Sequence, residues 1–162
     1  MNIYSIGFTQ RSAEDFFNTL KAAGIRRLVD IRLNNTSQLA AFAKKDDLAY
    51  FLRAICNIEY HHEPLLTPTQ EILDAYKKSK GDWATWERDF NALIRSRHIE
   101  KKLDRAQFTQ PTVLLCSEFT PEHCHRRLVL EYLQKKWGDF NIVHLCLGGR
   151  RPALPATSVR MR

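Results

Sequence analysis

The densest concentration of reactive side chains lies between residues 116 and 126, where Cys116, Glu118, His123, Cys124, His125 and Arg126 crowd into one short segment. A thiol close to an imidazole and a guanidinium has a lowered pKa and becomes a nucleophile. Histidine and carboxyl side chains move protons, and arginine holds a phosphate or carboxylate through two parallel N–H groups. Asp30 and Arg32 follow an apolar run at 27–31, Gly7 and Thr9 follow another at 2–6, and His61-His62 sits in a short extended stretch.

The elements that must position these residues read as β-α-β units at both ends of the chain. Asn2 to Ile6 predicts a strand. Ser12 with Asp15 predicts the start of a helix carrying Phe16, Phe17, Leu20 and Ala23 at helical spacing, ended by Gly24. Arg27 to Ile31 predicts a buried strand, and two strands joined by one helix fit a parallel pair with a right-handed crossover. A helix is expected from about Asp46, its stripe formed by Leu48, Phe51, Leu52 and Ile55, followed by an extended piece at Glu59 to His62. Beyond Pro64 and Pro68, helices are expected over 69–80 and from Asp82 through Ile94. The aromatics Trp83, Trp86 and Phe90 have the spacing of a core face rather than of a base-stacking platform. Thr112 to Cys116 is a short apolar strand, and Thr120-Pro121-Glu122 has the composition of a helix start. That helix is expected to run to about Trp137 and stop at Gly138, before a last strand at 141–146.

Strands alternating with helices predict a single three-layer α/β domain of Rossmann-like type over residues 1–147, with a mainly parallel sheet and helices on both faces. Ligands of such sheets bind beyond the carboxyl ends of the strands, which is where Gly7, Thr9, Asp30, Arg32, Cys116 and Glu118 are expected to meet the segment His123 to Arg126. On a helical wheel His125 projects toward the sheet, near the stripe of Leu128, Val129, Tyr132 and Leu133.

Two readings of this crevice stay open. In the first, Arg126, Arg32, Thr9 and Gly7 bind an anion, His125 or Glu118 moves a proton, Asp30 orients a partner, and Cys116 acts as nucleophile, with Cys124 and His62 as additional candidates. In the second, His125 is a core histidine bonded to Asp30 or a backbone carbonyl, Arg126 pairs with Glu118, and Cys116 simply closes a strand. The spacing departs from cysteine-dependent phosphatases, whose arginine follows the cysteine by six positions, because that position here is Glu122. Cys116, Cys124 and His125, even with His61 or His62, do not have a standard zinc spacing. GxxxxGK[ST], GxGxxG and HExxH are absent. Neither a metal nor a cofactor is therefore expected.

Composition bounds the alternatives. The chain has 162 residues, of which 44% are hydrophobic and 27% charged, with four cysteines and no CxxC pair. Disordered, collagen-like and disulfide-stapled classes are excluded, and free thiols are the default. No apolar run approaches a membrane span and the start MNIYSIGFTQ is unlike a signal peptide, so a cytoplasmic location without membrane contact is expected. The net charge of +7 suggests an anionic small molecule or nucleic acid as partner. More than half of that excess comes from Arg150, Arg151, Arg160 and Arg162, in a basic C-terminal tail at 148–162. The stretch from Arg95 to Arg105 alternates charge like a solvated helix face.

The segments Ile6-Gly7-Phe8-Thr9 with Arg11-Ser12, Leu28-Val29-Asp30-Ile31-Arg32, and Leu114-Leu115-Cys116-Ser117-Glu118 leading into Pro121-Glu122-His123-Cys124-His125-Arg126 resemble the domain of unknown function 488 family. The stretch from His62 to Thr69 resembles a variant of that family with a proline-containing linker. The resemblance implies one compact α/β domain whose distinctive residues gather at the strand ends, and favours function for His125, Arg126, Glu118, Asp30 and Arg32. It implies no particular reaction. Phe8 departs from the pattern, standing where relatives often have histidine or tyrosine. The expected function is an enzyme acting on a phosphorylated or nucleotide substrate, or alternatively a non-catalytic module that binds anions or nucleic acid.

Overall fold

In the computed structural model, which describes residues 1–146, five parallel strands form one sheet. In chain order they are β1 (Asn2–Gly7), β2 (Arg27–Asp30), β3 (Glu59–His62), β4 (Thr112–Cys116) and β5 (Asn141–Leu145), and their spatial order is β3-β2-β4-β1-β5. Six α-helices accompany them: α1 (Ala13–Ala22), α2 (Lys45–Phe51), α3 (Gln70–Lys78), α4 (Trp83–Ser96), α5 (Ile99–Lys102) and α6 (His125–Trp137). The three-layer α/β architecture expected from the sequence is present.

The alternation of side chains along the strands builds two cores. Leu28, Val113 and Leu115 point to the face covered by Phe16, Phe17 and Leu20 of α1 and by Leu48 of α2. Ile3, Val29 and Leu114 point the other way, against Trp86, Phe90 and Ile94 of α4 and Leu128, Val129 and Leu133 of α6. All five residues of β4 are buried, as a central strand covered on both faces requires. Ser12 caps α1 by accepting a hydrogen bond from the Asp15 N–H at 3.0 Å. Ser12→Ala is expected to remove about 1 kcal/mol of stability, measurable as a fall of about 2–4 °C in Tm.

Four expectations change. β1 and β2 are parallel but not paired, because β4 lies between them and pairs with both. Ile55 is 48% exposed rather than part of the apolar stripe. After Phe51 the chain widens into a π turn over Leu52–Cys56, which rotates Ile55 away from the sheet before Asn57 ends the segment with φ 53°. The basic stretch is not one continuous helix: α4 ends at Ser96, His98 takes a left-handed conformation with φ 52°, and α5 buries Ile99. The last helix begins at His125 with Cys124 as its N-cap, not at Thr120-Pro121-Glu122, so residues 117–123 are a loop.

This order sets the ends of β2, β4 and β1 side by side, with Gly7 opposite Cys116 and Asp30 opposite Leu115. α1 leaves β1 on one face and α6 leaves β4 on the other, so their chain connections diverge around the shared strand ends. That divergence opens the crevice expected of parallel α/β sheets. No helix among the described residues is long and apolar enough to cross a membrane. The arginine-rich segment 148–162 lies outside the described residues.

Candidate functional site

At the end of β4 a cleft of about 180 Å³ opens between the loop after β2 and the start of α6. Cys116, Cys124, His125, Glu118 and Arg32 line it, and α3 and α4 add a wall containing Tyr76, Trp83 and Trp86. Five expected site residues therefore share one cavity.

Cys116 is the most strongly connected of them. His125 Nε2 donates to the Ile31 carbonyl at 2.8 Å, which turns Nδ1 toward Cys116 Sγ at 3.4 Å. The ring is thus held by the backbone carbonyl, not by Asp30. The neighbouring Cys124 thiol, the His125 charge and the Glu118 main chain together hold Cys116 well below the usual thiol range, against the cost of burial. Burial alone would push His125 down, but the Cys116 charge and its hydrogen bond raise it. The pair therefore favours thiolate and imidazolium. Burial and the Cys116 charge push the Cys124 thiol up, so it keeps its proton. Burial, followed by the same charge, also raises the Glu118 carboxyl beside the cleft.

Arg32 and Asp30 form a buried ion pair behind one wall. Arg32 Nε and Nη2 each donate to the Asp30 carboxylate at 2.8 Å, and Nη2 also reaches the Ala43 carbonyl at 2.8 Å. Tyr60 Oη donates to Asp30 Oδ2 at 2.6 Å, while the Asn35 amide lies 3.4 Å from that oxygen. Burial opposes the Asp30 charge, but Arg32 and Tyr60 outweigh it and hold its pKa below the ordinary value of 3.8. Asp30 also holds Tyr60 in its neutral form, adding to burial, which raises the phenol first. The Arg32 guanidinium lies 5.2 Å from the Phe8 ring centroid, so an apolar ring covers the charge there. Arg32 Nη1 has no hydrogen-bond partner among the described residues although the residue is only 3% exposed.

Arg126, Thr9 and Gly7 build the loop rather than face a ligand. Arg126 is fully buried, and its guanidinium donates to the carbonyls of Glu118 and Phe119 and to Cys124 Sγ. It binds the Glu118 main chain, not the carboxylate, and its Nε has no hydrogen-bond partner among the described residues. Thr9 Oγ1 and N both donate to the Ser117 carbonyl, at 2.7 and 3.2 Å. Gly7 lies against Glu118 O. None of these three residues lines the cleft, and the contacts they make support the loop beside it. His62 is half-buried on β3 and donates from Nε2 to the Arg32 carbonyl at 3.1 Å, so it braces this wall from outside. His61 is exposed, as alternation along the strand predicts.

The aromatic wall was partly legible. Trp86 belongs to the core, as its helical spacing implies, but Trp83 is only partly buried and stacks on Trp86 at 4.9 Å and on His123 at 5.1 Å. Tyr76 meets both tryptophans edge-on. The role of His123 as part of this wall, and those of Tyr60 and Asn35 around Asp30, carry no local sequence signal. They arise from contacts between distant elements.

Cys116 Sγ, Cys124 Sγ and His125 Nδ1 lie within 4.8 Å of one another, a spacing that a soft divalent cation would accept. The neighbouring charge points elsewhere. Arg126 Nη1 lies 3.3 Å from Cys124 Sγ, so a fixed cation already stands beside that sulfur. That guanidinium charge opposes a second cation at the trio.

Fold and site together define a parallel α/β domain with a thiol–imidazole crevice at its strand ends. The family model described as domain of unknown function DUF488 matches residues 12–133, and the chain belongs to that family. The match includes Asp30, Arg32 and the whole 116–126 segment but begins after Gly7 and Thr9. Comparisons with curated proteins and with solved structures gave no match.

Proposed function

We propose that the protein is a thiol-dependent enzyme acting on a small phosphorylated or nucleotide substrate. The observation that carries this reading is the Cys116–His125 contact, with the far nitrogen of the imidazole tied to the Ile31 carbonyl. It keeps a nucleophilic sulfur charged at the base of a cleft. Arg32 Nη1, buried and without a partner, supplies an N–H for the substrate's anionic group.

In the proposed step, Cys116 Sγ forms a bond to the electrophilic centre as the bond to the leaving oxygen breaks. Glu118 gives its proton to that oxygen. Water then takes the group from sulfur, returning a proton to Glu118 and the electron pair to Sγ. The volume of about 180 Å³ fits a single phosphate-bearing group rather than a polymer strand.

Iodoacetamide labelling followed by peptide mapping tests the thiolate. Cys116 is expected to keep its reactivity to lower pH than an ordinary thiol, since its pKa lies well below the ordinary 9.0. Cys56, raised by burial, should react faster by about tenfold per pH unit and serves as the internal control. His125→Asn is expected to shift the Cys116 profile toward that of the control. A wild-type Cys116 that already follows the Cys56 profile overturns the nucleophile. Inorganic phosphate or a nucleoside monophosphate should slow Cys116 labelling. Such protection with an ordinary thiol profile would instead identify a non-catalytic anion-binding module.

A further inference from the structure

We infer that Cys116 and Cys124 form a redox pair, in which a hydroperoxide entering the cleft converts the two thiols into a disulfide that a dithiol reductant reopens. The inference rests on the thiolate reading of Cys116 and adds a reversible control of the same site.

Four features of the geometry support it. The two sulfurs lie within 4.8 Å of each other, and both line the same cleft. Both are free thiols. Cys116 is the last residue of β4 and Cys124 caps α6, so the connection between them is irregular loop that can absorb the approach needed for a sulfur–sulfur bond. Arg126 Nη1 at 3.3 Å from Cys124 Sγ stabilises negative charge on that sulfur as its proton leaves. Cys56 and Cys146 have no part in this cluster.

The chemistry balances with one hydroperoxide. Cys116 thiolate attacks the nearer peroxide oxygen; the S–O bond forms, the O–O bond breaks, and the departing oxygen takes a proton from the His125 imidazolium, leaving as water when the oxidant is hydrogen peroxide. Sulfur is oxidised to the sulfenic acid and peroxide oxygen is reduced. Cys124 sulfur then attacks Cys116 sulfur; the S–S bond forms, the S–O bond breaks, and the Cys124 proton leaves with hydroxide as water. Oxidation thus removes the nucleophile while protecting it from irreversible higher oxidation.

The sequence provides a convenient readout. Trypsin releases residues 106–126 as one peptide that contains both cysteines and neither of the others. After hydrogen peroxide, that peptide from the full-length protein is expected two hydrogens lighter and resistant to alkylation, with dithiothreitol restoring both properties. The Cys116 labelling rate should fall by at least about tenfold in the oxidised protein. In Cys124→Ser, a dimedone adduct should accumulate at Cys116 instead, because no resolving thiol remains. Wild-type protein that labels rapidly at Cys116 but passes to dimedone adduct or sulfinic acid without the lighter peptide overturns the pair and leaves the thiolate standing. A zinc ion retained in the native mass spectrum, and lost in both Cys116→Ser and Cys124→Ser, overturns it as well.

Discussion

Gly7→Ala is expected to cost about 3 kcal/mol or more, lowering Tm by roughly 6–12 °C and shifting the urea midpoint in proportion. A Cβ at this position would stand 1.7 Å from Glu118 O, 2.7 Å from Glu118 C and 3.1 Å from Arg126 Nη1. The first two are backbone atoms, so no rotamer change relieves the overlap. Either the ends of β1 and β4 part where Gly7 faces Cys116, or the loop at Ser117 and Glu118 lifts away from Thr9 and Arg126. Both routes break buried hydrogen bonds, and the second withdraws the Glu118 N–H from Cys116 Sγ. The surviving folded protein should therefore label at Cys116 with a more ordinary thiol pH profile. Gly24→Ala provides the contrast: nothing lies within 4 Å of its Cβ, and only the φ of +68° opposes the change, for about 1 kcal/mol. Equal losses for the two substitutions would show that the loop yields freely and that the close approach does not hold the site.

The difference between those two glycines also marks what can be read from sequence. Gly24 ends a helix with a local pattern, Ser12 at its start and Phe16, Phe17 and Leu20 along it, and such patterns located most elements. Gly7 depends on a loop more than one hundred residues away, which no local pattern encodes. Strand order has the same character. β4 is legible as an apolar run, but its insertion between β1 and β2 is decided by hydrogen bonding across the whole sheet. At residues 120–122 local capping chemistry favoured a helix start, and tertiary bonds prevailed: Arg126 holds the Glu118 and Phe119 carbonyls, and Thr9 holds that of Ser117. The same bonds explain why Arg126, which resembles an anion clamp in sequence, spends both Nη groups on the loop. His125 was legible because its place on the wheel and its place in the core agree. The short contact to Cys116 follows once β4 and α6 are packed face to face.

Asp30→Asn should be at least as damaging as Gly7→Ala, for an electrostatic reason. The carboxylate accepts from Arg32 N, Nε and Nη2 and from Tyr60 Oη, and Asp30 is fully buried. An amide offers only one oxygen and presents N–H groups to these donors, leaving the Arg32 charge buried without a counter-ion. Removing one partner of such a pair typically costs about 3–5 kcal/mol. The pH dependence has a definite sign. Asp30 has a depressed pKa in the folded protein, so its stabilising contribution is present above the ordinary value of 3.8 and is lost as pH falls toward the lowered folded value. The gap between wild type and Asp30→Asn in urea unfolding should be constant above about pH 5 and should narrow in acid, where wild type also loses the charge. Asp30→Asn/Arg32→Met should recover part of the loss, because no unpaired buried charge remains. A gap that widens in acid, or a double variant as unstable as the sum of the single ones, would mean that the ion pair does not hold this wall. Arg32 would then be free to turn toward the cleft, and the Nη1 assigned to the substrate would be only one of several donors the guanidinium could offer.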